Sequence, residues 1–231
     1  MRLSSDGYSV GVAASRLARI GFTLERGRIW RPGNFPTTDK ARIKATRLAG
    51  RAPRIGDPSG LYYLSVGKGL TVIGASGLSG GSLINTGVAL RPDFGRLRDA
   101  GWPDEVVSDG LLLEGLKRVE PMLGVAPVSV PEQFAKFAGM RRAAKASGYS
   151  VQLSAITISR RPGSNAAGVM QYACRHWSGC NVGAKNTVGI TYIADAVDRG
   201  ATVLCQSRAE SISKIKDGWG SKTLPLLPSA P

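Results

Sequence analysis

Gly74-Ala-Ser-Gly77-Leu-Ser-Gly80-Gly81-Ser-Leu-Ile-Asn-Thr-Gly87-Val-Ala-Leu-Arg-Pro-Asp93 decides the reading of this chain. Small residues stand beside apolar ones, which lets backbone approach a flat or anionic ligand closely. A plain glycine-rich surface loop has no use for Leu83-Ile84 or Val88-Ala89-Leu90. Just upstream, Leu61 to Val66 and Leu70 to Ile73 read as a strand pair around Gly67-Lys-Gly69. That pair delivers the chain into the small-residue ribbon.

Farther upstream, Tyr8 to Ile20 reads as a helix, with Val12, Leu17 and Ile20 on one stripe and Gly21 as its C-cap. Before it stands Ser5-Asp-Gly7-Tyr-Ser-Val10, and after it Phe22 to Arg26 reads as a short strand ending in an acid. Glu25 follows Gly7 by roughly the 20 residues that separate a glycine-rich phosphate turn from its ribose-binding acid. The stretch from Pro32 to Pro58 is basic and turn-rich, with one helix expected at Thr38 to Leu48.

Downstream, residues 109 to 123 predict a helix with Asp109 as N-cap and Leu112, Leu113, Leu116, Val119 and Leu123 on one face. Gln133 to Ser147 predicts another, closed by Gly148. Gly179-Cys-Asn-Val-Gly-Ala-Lys-Asn-Thr187 leads into a third from Asn186 to Arg199, with Asn186 or Thr187 near the cap and Gly200 as the stop. Thr202 to Cys205 and Ala209 to Lys216 read as strands. The mixture points to an α/β fold with an α+β insert. From Trp219 the chain ends with Pro225, Pro228 and Pro231, and that tail is expected to be disordered, without strand or helix.

Composition narrows the function classes. The chain has 231 residues, 42% of them apolar, and a formal net charge of +15. Such charge suits a polyanion partner, yet the basic residues run from Arg2 to Lys222, aromatics make up only 6%, and Arg141-Arg142 with Lys145 reads as a solvated helix face. Specific nucleic-acid binding is not expected. No stretch spans a membrane and no leader is visible, so the expected compartment is the cytoplasm. Cys174, Cys180 and Cys205 are too few and too odd in number for a disulfide framework. With His176, the single histidine, Cys174 and Cys180 make three possible ligands without a fourth, so no metal site is expected. One histidine also argues against a hydrolase triad.

Several stretches together resemble the glucose-methanol-choline (GMC) oxidoreductases, and within them the bacterial cholesterol oxidase-like branch. They are Gly7-Tyr8 with Val12 to Arg19; Leu24-Glu-Arg-Gly-Arg28 with Trp30-Arg-Pro-Gly33; Gly80-Gly-Ser-Leu-Ile-Asn85 with Val88 to Asp93; and Gly179 to Thr187 with Tyr192. The resemblance implies an FAD-binding, Rossmann-like domain over residues 1–95, a partial α+β substrate-domain insert over 96–178, and a return to the FAD-binding domain over 179–218, leaving 219–231 as tail. It implies FAD as cofactor and a small-molecule alcohol or sterol as substrate, with hydride passing to flavin N5. By position, Ser5, Gly7 and Tyr8 resemble the pyrophosphate turn, and Glu25, followed by Arg26, the acid on the adenosine ribose. Gly80, Gly81, Ser82 and Asn85 resemble the loop around the flavin diphosphate and ring, with Thr86 and Gly87 near N5. Ala209 resembles the backbone beside adenine.

The sequence departs from that pattern. Only Met1-Arg-Leu-Ser4 precedes the turn, Ser5 and Val10 stand where the family has glycines, and the strand before Glu25 is about three residues short. The family's C-terminal portion, which contributes the catalytic histidine and its partner, has no counterpart, and His176 does not match it. The expectation is therefore an incomplete flavin domain that carries no catalytic residue, binds FAD weakly and turns over sterols negligibly. The alternatives are a non-catalytic truncated remnant and, more distantly, a basic nucleic-acid-binding protein.

Overall fold

A computed structural model describes residues 2–4, 22–49, 55–128, 134–158, 178–216 and 218–225. The helix expected over 8–20, the turn at Ser5, Gly7 and Tyr8, and the Cys174–His176 pair lie outside the described residues. The chain divides into two compact units, residues 1–86 with 160–231, and residues 87–159.

In the first unit, β1 (Arg2–Ser4) and β2 (Phe22–Leu24) pair in parallel. After β2 comes α1 (Asp39–Lys44), whose N-cap Thr38 accepts a hydrogen bond from the Ala41 amide at 3.2 Å. Asp39 in the first turn and Arg42 and Lys44 in the last complement the helix dipole. The helix stops four residues short of the expected Leu48, because Thr46–Ala49 form β3 instead. Strand pairing overrides the helical reading here: β3 lies parallel to β4 (Tyr62–Val66), and β4 runs antiparallel to β5 (Thr71–Ala75). Leu61 is fully buried and packs with Trp30, Phe35, Ala45, Tyr62 and Leu83. The Trp30 and Phe35 rings stack at 5.9 Å. The core thus sits where the strand pair meets the segment after β2.

The second unit holds α2 (Phe94–Asp99), α3 (Asp104–Val107), α4 (Leu111–Met122) and α5 (Ala135–Ala146). Asp93 caps α2 by accepting from the Gly95 and Arg96 amides. The N-cap of α4 is Gly110, at φ +82°, and not Asp109. The Asp109 amide donates to the carbonyl of Asp104, the first residue of α3, so the turn into α4 falls on the residue that tolerates a left-handed backbone. Ile156 bridges to both Val88 and Ala126, and Arg91 grips Glu120 through two hydrogen bonds of 2.6 Å.

The chain returns to the first unit with α6 (Tyr192–Asp198), β6 (Thr202–Leu204), β7 (Ser207–Ile215) and β8 (Gly218–Pro225). The helix expected from Asn186 begins as a 3-10 turn over Val188–Ile190 and becomes α-helical only at Tyr192. The Val188 amide donates to the Ser82 hydroxyl rather than to a helical carbonyl, which holds that turn out of the helix. Strand β6 pairs in parallel with β2, giving the order β1-β2-β6.

Residues 219–225, expected to lack regular structure, instead form β8, antiparallel to β7. Strand β7 ends at Ile215 and β8 opens on Gly218, at φ +143°, with two residues of sequence between them. Asp-Gly between strand-forming runs is a hairpin signal. The first of the three prolines, Pro225, is the last residue of β8, so no proline interrupts the ladder. Among the described residues no helix is long and apolar enough to cross a membrane.

Candidate functional site

Strand β2 ends at Glu25, and the backbone beyond it is held from two sides. On one, the Glu25 amide donates to Leu204 O, the Ser207 amide to Glu25 O and the Gln206 amide to Gly27 O, all at 2.9–3.0 Å. On the other, the Leu78 amide donates to Arg28 O at 3.1 Å. Between them Gly27 lies flat on the ribbon: a Cβ there would stand 2.4 Å from the Gly77 nitrogen. The sequence folds this way locally because neither glycine brings a side chain between the two backbones. Ribbon and strand end are therefore fixed together, backbone on backbone.

They enclose a cavity of about 530 Å³. Leu24, Glu25 and Arg26 supply one wall, Gly74 to Gly77 with Gly80 and Gly81 another, and Ser207, Arg208 and Ala209 a third. Arg47 and Tyr63 from β3 and β4 complete it. Of the residues singled out in the sequence, this brings together Glu25, Arg26, Gly80, Gly81 and Ala209. Glu25 is only 3% exposed, and its Oε1 accepts from the Gly27 amide. Gly81 is exposed, and a Cβ there would meet no protein atom within 4 Å.

The remaining residues of the ribbon stand elsewhere. Ser82 is fully buried, donates to Ser79 O at 2.8 Å and accepts from the Val188 amide at 3.1 Å. Its hydroxyl ties the ribbon to the following segment, and Ser82 is not among the residues that line the cavity. Asn85 is half-buried, Thr86 is exposed, and Gly87 is buried at φ +74° and opens the second unit.

Gly179 to Val188, expected chiefly to start a helix, buttresses this arrangement. Lys185 is buried and its ammonium donates to Leu83 O at 2.7 Å and Asn85 O at 2.6 Å. Asn181 Oδ1 accepts from the Gly33 and Phe35 amides, and its Nδ2 donates to Phe35 O. Sequence reasoning missed these two supports, and also Arg47, Tyr63 and Arg208 on the cavity wall. The pairing of Arg47 with Tyr63 was hidden inside a helix assignment.

Electrostatics in the cavity favour an anion. Arg26, Arg47 and Arg208 line the cavity together with a single carboxylate, Glu25. Burial pushes the Arg47 guanidinium below its ordinary value, Tyr63 counters that, and the charge of Arg208 pushes it down further. Burial first, and then Glu25, raises the Cys205 thiol to about 11, so it is no nucleophile at neutral pH. Burial lowers Lys185 to about 8, with Cys180 countering. Among the described residues no cluster could hold a metal ion. The donor set suits a ligand with sugar hydroxyls and phosphates: a buried carboxylate, bare glycine backbone and guanidinium groups.

Residues 55–218, more than half of the chain, match the family model described as GMC oxidoreductase. No curated protein matches the chain.

Proposed function

From the premise that the chain belongs to the GMC oxidoreductases, we propose that its first unit holds FAD by the adenosine diphosphate end, in the cavity between Glu25 and the glycine ribbon. The observation that carries this reading is the shared wall: an acid at the end of a parallel strand and the Gly74–Gly81 backbone bound one space. Glu25 accepts from ribose hydroxyls, and the ribbon lets the diphosphate lie close to backbone amides. Bound FAD supplies the hydride-accepting chemistry for oxidation of an alcohol CH–OH group. Sterols are the proposed substrate class, on the likeness of Gly80 to Asn85 and Val88 to Asp93 to the cholesterol oxidase-like branch. Thr86 and Gly87 are proposed to stand near the reacting edge of the flavin. The residues described along this cavity bind and orient the ligand.

The shortness of β1 and β2, three residues each, favours a second reading in which the chain binds FAD without turning over alcohol. Cholesterol added to the FAD-loaded chain separates the two: bleaching of the flavin band supports turnover, and an unchanged spectrum supports the binding role alone.

Glu25→Gln is expected to weaken FAD about 10- to 100-fold, the loss for charge-assisted hydrogen bonds of about 1.5–3 kcal/mol. Fluorescence titration with FAD measures it. Equal affinity of the variant and the parent chain would remove Glu25 from the site.

A further inference from the structure

We infer that Arg47 and Arg208 form an anion subsite on the wall of this cavity that grips the phosphates of an adenine nucleotide. The inference rests on the nucleotide reading of the cavity and adds two residues that the family likeness does not assign.

The subsite is built by strand register. Arg47 on β3 pairs with Tyr63 on β4, and Tyr63 pairs with Gly74 on β5. The missing side chain at Gly74 lets the tyrosine ring lie across the sheet: a Cβ there would stand 2.1 Å from the ring. The Arg47 guanidinium in turn lies over that ring, 5.1 Å from its centroid. Three consecutive cross-strand neighbours thus place one cation on an aromatic platform at the cavity wall, and β7 brings Arg208 to the same space.

Their charges call for an anion. Arg47 is 9% exposed, and its Nε is buried without a hydrogen-bond partner. Among the described residues neither Arg47 nor Arg208 makes an ion pair. A guanidinium keeps its charge at any physiological pH. Two cations held in one partly buried space, without a carboxylate apiece, repel each other and pay desolvation. Glu25 carries one negative charge and does not offset two cations. A ligand carrying two or more phosphate charges satisfies both arginines while leaving Glu25 to sugar hydroxyls, and that combination describes a nucleoside diphosphate.

The test is calorimetric titration of the full chain with ADP, AMP and adenosine, repeated on Arg47→Gln and Arg208→Gln. Arg142→Gln on α5 serves as the charge-matched control. ADP is expected to bind more tightly than AMP, and AMP more tightly than adenosine. Each cavity variant is expected to lose about tenfold or more in ADP affinity, the scale of a hydrogen bond to a charged group, with adenosine changed less than about twofold and the control unchanged. Should Arg47→Gln fail to fold, inorganic pyrophosphate on the parent chain probes the same subsite, since it must compete with ADP. Absence of ADP binding, ADP affinity unmoved by both variants, equal losses for ADP and adenosine, or no competition by pyrophosphate would each overturn the inference. FAD affinity that falls in Glu25→Gln but not in the arginine variants would overturn it and leave the FAD reading standing. Arginine-dependent ADP binding in a chain that does not bind FAD would do the reverse.

Discussion

Replacing Gly27 with alanine is expected to destabilise the chain by about 3 kcal/mol and to abolish nucleotide binding. The added Cβ would stand 2.4 Å from Gly77 N, 2.7 Å from Gly77 Cα and 2.7 Å from Ser76 C. All three are backbone atoms, so no side chain can swing aside. The ribbon must move away from the strand end, which breaks the Leu78–Arg28 hydrogen bond and opens the cavity wall. Gly115→Ala is the informative contrast. Gly115 lies within α4, and its Cβ would meet nothing within 4 Å. There the same chemical change is expected to stabilise by about 0.5–1 kcal/mol through helix propensity. Urea unfolding midpoints read both effects. A Gly27→Ala chain as stable as its parent would mean that the ribbon does not lie on the strand end.

Lys185→Met carries the second large effect. The ammonium supplies donors to Leu83 O and Asn85 O from within a buried site. Methionine fills similar volume and leaves both carbonyls without that donor, at about 1–3 kcal/mol for each unsatisfied group. The expected loss is about 2–4 kcal/mol, offset in part because a desolvated charge disappears as well. The pH dependence identifies the group. Its folded value of about 8 lies below the unfolded 10.5. Between those values the unfolded chain holds the proton more tightly, so stability rises with pH across that window and the penalty for burying the cation is fully present below about 8. The parent chain is therefore expected to gain melting temperature from pH 7.5 to about pH 10 relative to Lys185→Met. Parallel curves for the two chains would contradict a buried, titrating Lys185.

How much of this was legible beforehand follows from the range of each signal. The strand pair before the ribbon, the acid at the end of β2 and the strand at 202–204 were readable, because alternation and glycine punctuation act over a few residues. Strand β3 was not readable: Thr46–Ala49 follows directly on a capped helix, and only its pairing with Tyr62–Ser65 makes it extended. With it went Arg47, whose place on the cavity wall exists only through cross-strand register. Strand β8 was misjudged for a different reason. Prolines dominated the composition of the tail, while the two-residue connection ahead of Gly218 carried the better local signal. The support from Lys185 and Asn181 spans more than a hundred residues of sequence, a distance that no local pattern covers.

In the proposed arrangement one cavity, between the end of β2 and the ribbon, receives the adenosine end of FAD. Amide hydrogen exchange of the chain with and without FAD tests it most directly, because protection follows the backbone that the ligand covers. Slowed exchange is predicted at Glu25 to Gly27, at Gly74 to Gly81 and at Arg208 and Ala209 together. Protection by FAD that appears only outside these three segments, or no change in any of them at saturating FAD, would contradict the account.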